Sequence, residues 1–305
     1  MTRQPFDVVR DTLEYLHNSV SQFNNEKITT EKNYVWSTKK LIALYLYIEP
    51  YVKIMRKKGF KKLHYYDLFA GSGLYEIYNK KMPGTPLTPL TRIKDGYVFD
   101  EYVLADRDPQ YINELKKRAK IMLGQQKSQL RIENFDFDDS IRHFFGTTYR
   151  QVTDYFQNGY LIVLDPFGFT VSWSNLLRIL QSGAVDIFIT FQTSQSERNK
   201  SIRHSEEKLT EVFGNEKWRD WNDHAKLYCN QIEHVIAESG RSYKTEQIFV
   251  DTDGSTSYHF IFASSADGAI TPFRWIKEKI DSIDINNLKS AFAGATRKGA
   301  NIDQW

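Results

Sequence analysis

Residues 63–76 of this 305-residue chain read LHYYDLFAGSGLYE. An apolar and aromatic run meets Asp67 and breaks at once into Gly71, Ser72 and Gly73. The first half has the make-up of a buried strand, and the glycines provide a turn where a ligand can approach the main chain with no Cβ in the way. Glycine turns also end ordinary strands, so the rest of the chain must say what this one holds. The stretch lacks the third glycine of G-x-G-x-x-G, Glu76 standing in its place, and it lacks the lysine of a phosphate loop. A pyrophosphate is therefore disfavoured, and a ligand with positive charge beside Asp67 is favoured.

On the N-terminal side, the spacing predicts helices over 6–23 and 38–58. The second has Ser37 or Thr38 as its N-cap, carries Leu41, Leu44, Tyr45, Ile48 and Val52 at helical spacing, and stops at Gly59. On the C-terminal side, strand-like and helix-like segments alternate. EYVLAD, LRIENFDF, GYLIVLDPFG and VDIFITFQT read as strands, with PQYINELKKRAKIMLGQ and SWSNLLRILQSG among the helices between them. GYLIVL and VDIFITF are predominantly apolar runs, and continuous rather than alternating hydrophobicity marks strands covered on both faces. This pattern predicts an α/β, Rossmann-like, doubly wound sheet. Beyond residue 195 the alternation stops. Residues 196–244 are polar and helical in pattern, and YKTEQIFVDT and TSYHFIFASS then predict a hairpin completing seven strands with an antiparallel edge. The expected division is an N-terminal helical segment (1–60), a core (61–195), a helical insertion (196–244) that is a nucleic-acid reader or a lid, and the final strands and C-terminal helix (245–305).

Composition narrows the functional classes. The net charge of +3 is too small to signal nucleic-acid binding by itself. Cys229 is the only cysteine, which excludes an intrachain disulfide and a cysteine-based zinc site. The seven histidines lack metal-ligand spacing, and no Gly-x-Ser-x-Gly elbow occurs. The first twenty residues are charged throughout and no apolar run is long enough to span a bilayer, so a cytoplasmic protein is expected.

In a doubly wound sheet, ligands bind beyond the carboxyl ends of the strands. Four such ends carry carboxylates. Asp67 precedes the glycine turn. Asp106, in ADRD, is placed to take the two hydroxyls of a ribose, whereas Asp108 before Pro109 suits a helix N-cap. Asp136, in NFDF, can accept from an adenine amino group, with Asp138 and Asp139 solvated or capping the next helix. Asp165, in DPFG, leaves an apolar strand beside a proline. Its carboxylate and the Pro166 carbonyl make two acceptors for a planar amino group, on which Phe167 can stack.

Together these motifs resemble those of class I S-adenosylmethionine-dependent methyltransferases. DLFAGSG is similar to their cofactor loop, and DPFG resembles the Asp-Pro-Pro-Tyr signature of amino methyltransferases acting on nucleic acids. The pattern KLHYYDLFAGSG, PGTPL, LIVLDPFGFTVSW, VDIFITF and SYHFIFAS resembles the three-Cys-motif partner protein family over roughly residues 35–275. The resemblance implies a methyltransferase fold encoded beside a partner that resembles radical S-adenosylmethionine enzymes. It implies that Asp67, Phe69, Ala70, Gly71 and Gly73 frame the methionine part of S-adenosylmethionine, that Asp106 and Asp136 hold its ribose and adenine, and that Asp165, Pro166 and Phe167 form the acceptor site. The chain departs from the signature in having Phe167-Gly168 where Pro-Tyr is expected, so its aromatic is displaced by one position.

The reading that follows is methyl transfer to an exocyclic amine in DNA or RNA, adenine favoured. The alternatives are a cofactor- or nucleic-acid-binding partner without turnover, and a small-molecule methyltransferase. Two basic stretches can meet a phosphate backbone, one through Lys57 and Lys58 and the other through Arg198, Lys200 and Arg203; each can equally be a solvated helix face. Trp218 and Trp221 are expected as a core stripe more than as a stacking platform.

Overall fold

The computed structural model describes residues 3–28, 33–146, 158–168, 170–192, 203–237, 239–251, 257–266 and 268–297. Helices α1 (Pro5–Ser19) and α2 (Thr38–Lys57) precede the first strand, β1 (Lys62–Asp67). Ser37 makes no capping bond; α2 instead grows out of a 3₁₀ turn at Val35–Ser37, where the Thr38 hydroxyl donates to the Val35 carbonyl at 2.6 Å. Gly59 ends the helix at φ +87°, a conformation other residues reach only with strain.

After the glycine turn the chain does not enter a helix. It makes a hairpin unforeseen from the sequence, β2 (Leu74–Ile77) and β3 (Lys80–Pro83), reversing through Tyr78 and Asn79, both at positive φ. Two consecutive left-handed residues define the tight hairpin turn whose twist suits the flanking strands. Tyr-Asn lacks the glycine that usually announces that turn, which is why the sequence reading passed over it.

The order then runs α3 (Thr88–Thr91), β4 (Glu101–Ala105), α4 (Pro109–Leu123), β5 (Gln129–Glu133), α5 (Phe137–Phe145), β6 (Asn158–Leu164), α6 (Trp173–Leu180) and β7 (Ala184–Phe191). Helices α7 (Arg203–Phe213) and α8 (His224–Glu233), strands β8 (Lys244–Asp251) and β9 (Ser257–Ser264), and helices α9 (Ile270–Asp281) and α10 (Ile285–Arg297) complete it. The seven-stranded sheet has the order β5-β4-β1-β6-β7-β9-β8, the arrangement of the class I methyltransferase fold. Every pair is parallel except the two that β9 makes. The reversed strand is thus β9, one place in from the edge; β8 at the edge runs with the others.

Strand periodicity explains the two cores. Leu63 and Tyr65, Leu104, Val163, and Phe260 and Phe262 point to one face with residues of α2, α4 and α9. Tyr66, Val103, Ile162 and Leu164, and Ile187 and Ile189 point to the other with residues of α5 to α8. Helices α7 and α8 are therefore a layer of the second core. Leu209, Phe213, Tyr228 and Ile232 are fully buried there, and Trp218 joins them at 1% exposure, as a core residue should. The described part of the insertion is thus anchored to the sheet through this core.

Candidate active site

Asp67 ends β1, and Asp106, Asp136 and Asp165 follow the ends of β4, β5 and β6. Because these strands are parallel, all four carboxylates lie at one edge of the sheet. Asp67 has no exposure to solvent. The Phe69 N–H donates to its Oδ1 at 3.1 Å, whereas Oδ2 has no hydrogen-bond partner. Burial pushes this carboxyl up to about 7; Thr85 and the Phe69 N–H oppose the shift, and repulsion from Asp165 and Asp106 adds to it. A buried unpaired oxygen costs about 1–3 kcal/mol. Asp67 Oδ2 is therefore an acceptor whose hydrogen-bonding capacity is unfilled among the described residues.

The sign of the pH effect follows. An acid whose folded-state pKa is raised binds its proton more tightly folded than unfolded, so stability is lost as pH climbs through the window between the two values. For Asp67 that window runs from the ordinary carboxyl range to about 7, and Asp186, pushed up to about 6 by burial, acts in the same direction. The urea midpoint should be higher at mildly acid pH than just above neutrality. Asp67→Asn should flatten that dependence; an unchanged slope would remove Asp67 from the account.

The glycine turn is fixed from several sides. Asp106 Oδ2 accepts the Gly71 N–H at 2.8 Å, and its Oδ1 accepts the Asp108 N–H at 2.9 Å. Asp106 thus holds the glycine loop in place, a role the sequence reading did not assign. Ala70 donates its N–H to the Ala105 carbonyl at 2.9 Å, and Phe69 stacks on Phe137 at 5.2 Å. The Ser72 carbonyl accepts from the buried Arg118 guanidinium at 2.7 Å, itself paired with Glu26 and Glu114 at 2.9 Å.

The two glycines differ. At Gly71 (φ +56°) a Cβ would meet open space, whereas at Gly73 (φ +85°) it would come within 2.7 Å of Leu115 Cδ1 and 3.0 Å of Leu87. Left-handed strain alone costs about 1–2 kcal/mol. Gly71→Ala should cost about that much in urea unfolding. Gly73→Ala should cost more, because Leu115 and Leu87 are fully buried and have little room to yield.

Two of the other acids cap helices. Asp108 accepts from the N–H groups of Gln110 and Tyr111 at the start of α4, as anticipated. Asp136 Oδ1 accepts the Asp139 N–H at 2.8 Å at the start of α5, so the residue expected beside an adenine also caps.

Asp165 has partners that the sequence reading missed. Its Oδ2 forms an ion pair with Lys40 of α2 and accepts the Tyr75 hydroxyl of β2 at 3.2 Å. The side chains of the pair are each only 10% exposed, and the Lys40 ammonium lies 5.5 Å and 6.0 Å from the Tyr75 and Tyr258 ring centres. The signal was present: Lys40 shares a helical stripe with Leu44 and Ile48, where a charge must find a partner. Both bonds converge on Oδ2, so neither uses Oδ1. Beyond it, Pro166 is buried, Phe167 is 86% exposed, and Gly168 turns at φ +80°.

The basic residues fall elsewhere. Lys57 and Lys58 lie at the end of α2, just ahead of β1 and away from its carboxyl end. The six residues of β1 put roughly 20 Å between that end and Asp67, so these lysines do not border the site. Arg198 and Lys200 lie outside the described residues, and Arg203 opens α7. Among the described residues no group of His, Cys, Asp and Glu is arranged to hold a metal, and no helix is long and apolar enough to cross a membrane. Cys229 is buried, and its thiol is pushed up to about 12, which leaves it inert.

No protein-family model matches the chain, and no curated protein matches it. Solved structures do. A protein from Legionella pneumophila superposes with a TM-score of 0.48 at 9% identity, over 79% of this chain and 91% of that one. Trm1 from Pyrococcus horikoshii, solved with S-adenosyl-L-methionine, gives 0.39 at 12% identity over 78% of this chain and 56% of its own. TYW2 from P. horikoshii, solved with MeSAdo, gives 0.34 at 12% identity over 70% and 61%.

Proposed function

We infer that the chain is an S-adenosylmethionine-dependent methyltransferase whose acceptor is an exocyclic amino group on a nucleobase, adenine favoured. The observation that carries this reading is Asp67: a fully buried carboxylate with an unpartnered oxygen, beside a glycine turn pinned by Asp106, at the carboxyl edge of a sheet of this strand order. These residues fit a ligand with a cationic end and a ribose, and they do not fit a polyphosphate. Asp67 and the 69–73 backbone would hold the amino-acid end, and Asp106 and Asp136 the nucleoside.

S-Adenosylmethionine, when bound there, supplies a methyl group on a sulfonium that needs no acid to leave. The work left to the chain is placement and the exclusion of water. An exocyclic amine is a weak nucleophile because its lone pair is delocalised into the ring. Asp165 and the Pro166 carbonyl, as acceptors for its two N–H groups, favour the pyramidal nitrogen whose lone pair is available. Phe167, exposed beside them, offers a face on which the base can stack. A base in a duplex would have to leave the stack to arrive there. A partner of the three-Cys-motif kind, resembling radical S-adenosylmethionine enzymes, is part of the proposal through the resemblance.

One observation favours a second reading. Lys40 neutralises Asp165, which suits a cofactor-binding subunit without turnover. Transfer of tritiated methyl from S-adenosylmethionine to panels of DNA, RNA and free nucleosides, with and without the partner, separates the two. Transfer to a base amino group is the expected result; cofactor binding with no transfer to any acceptor would leave the second reading.

A further inference from the structure

At the opposite end of the sheet from Asp67 lies a cavity of about 480 Å³. Its apolar wall is made by Met55, Phe60, Ala184, Val185 and Ala266. Small residues meet there because β7 begins where β9 ends: Asp186 is paired with Ser264, and Ala184 lies level with Gly159 at the start of β6. The volume falls within the ~300–1,000 Å³ of small-molecule sites.

Two cations border the cavity, Lys58 from the end of α2 and Arg241 from the segment ahead of β8. The Ser239 hydroxyl, also in the lining, is buried without a hydrogen-bond partner. The one acid in the lining, Asp186, is not available to a ligand. It is 3% exposed, and its two oxygens are taken by the Tyr47 hydroxyl at 2.6 Å and the Ser264 hydroxyl at 2.5 Å. Lys58 is close enough to Asp186 to stabilise its charged form. Both cations already make contacts within the chain; an ammonium has three donors and a guanidinium five, so one such contact does not exhaust either group. Lys57, Lys61 and Lys62 are exposed on the adjoining surface and add to the positive field, while Arg56 is spent on Asp100 at 2.7 Å.

We propose that this cavity binds a small amphipathic anion, with its apolar body against the Phe60 and Val185 wall and its carboxylate, phosphate or sulfonate head between Lys58 and Arg241. The basic stretch around Lys57 and Lys58, which the methyltransfer reading leaves without a task, thereby acquires one. The site is separate from the carboxyl-edge site and does not depend on the activity assigned there.

The test is a fluorescence titration of the full chain with 8-anilinonaphthalene-1-sulfonate, an aryl anion. Saturable one-to-one binding is expected, unaffected by S-adenosylhomocysteine. The double substitution Lys58→Glu/Arg241→Glu should weaken it by about tenfold or more, the scale of losing two charge-assisted contacts. Lys61→Glu, outside the lining and acting only through the field, should weaken it far less than the lining pair does. Ala266→Trp should abolish it by filling the space, and the neutral analogue N-phenyl-1-naphthylamine should bind at least about tenfold more weakly. Inorganic phosphate and hexanoate as competitors distinguish a phosphate from a carboxylate head. The charge-reversed pair lies on the surface and keeps the test decisive even if Ala266→Trp fails to fold. No binding, binding indifferent to the Lys58/Arg241 pair, or displacement by S-adenosylhomocysteine would each overturn the proposal.

Discussion

Lys40→Met is expected to destabilise the fold by about 3 kcal/mol, read from the urea unfolding midpoint. The lysine is 8% exposed, and its Asp165 partner would be left with the Tyr75 hydroxyl as its remaining donor. Removing one member of a buried pair costs about 3–5 kcal/mol because the other charge stays behind, and Asp165 keeps Tyr75 and some access to water, which sets the lower end. Tyr75 and Tyr258 would also lose the cation against their rings. The double variant Lys40→Met/Asp165→Asn should recover most of the loss, since a neutral pair of similar volume carries no stranded charge. A cost below about 1 kcal/mol for Lys40→Met would mean the pair behaves as a surface ion pair and has no part in setting the state of Asp165.

Asp165→Ala is expected to lower methyl transfer by about 10²–10³-fold, the scale of removing one preorganised polar group that acts on developing charge. Affinity for the cofactor should change little, because Asp165 is placed on the acceptor side and Asp67 and Asp106 on the cofactor side. Asp165→Asn retains an acceptor oxygen and should lose less than the alanine variant. A parallel fall in cofactor affinity would move Asp165 into the cofactor site and remove it from the acceptor site.

The sequence reading of the fold succeeded where periodicity had a physical cause. GYLIVL and VDIFITF are mostly apolar because β6 and β7 are covered on both faces, Asp186 and Thr190 being the polar exceptions in β7, and they announced a doubly wound sheet. The carboxylates at strand ends were visible because a parallel sheet puts all its carboxyl ends at one edge. Three features escaped. The β2–β3 hairpin turns through Tyr78-Asn79, without the glycine that marks such turns. The buried side of the insertion went unread because its sequence is polar overall, although its helices carry Leu209, Phe213 and Tyr228 into the core. The Lys40–Asp165 pair joins residues 125 positions apart, and no local pattern relates a lysine early in α2 to an aspartate after β6. Burial of Lys40 within an apolar stripe was the one clue, and it called for a partner without naming it.

The most direct test of the central claim is an isothermal titration of S-adenosylmethionine and S-adenosylhomocysteine into the wild-type chain and into Asp67→Ala. Wild type should bind both one-to-one. Near pH 6.5 the apparent enthalpy should vary with the ionisation enthalpy of the buffer, because a cation settled beside a carboxyl pushed up to about 7 expels its proton. Asp67→Ala should lose most of the affinity together with that proton release. Absence of binding to the wild-type chain, or binding of undiminished affinity to Asp67→Ala, would contradict the account.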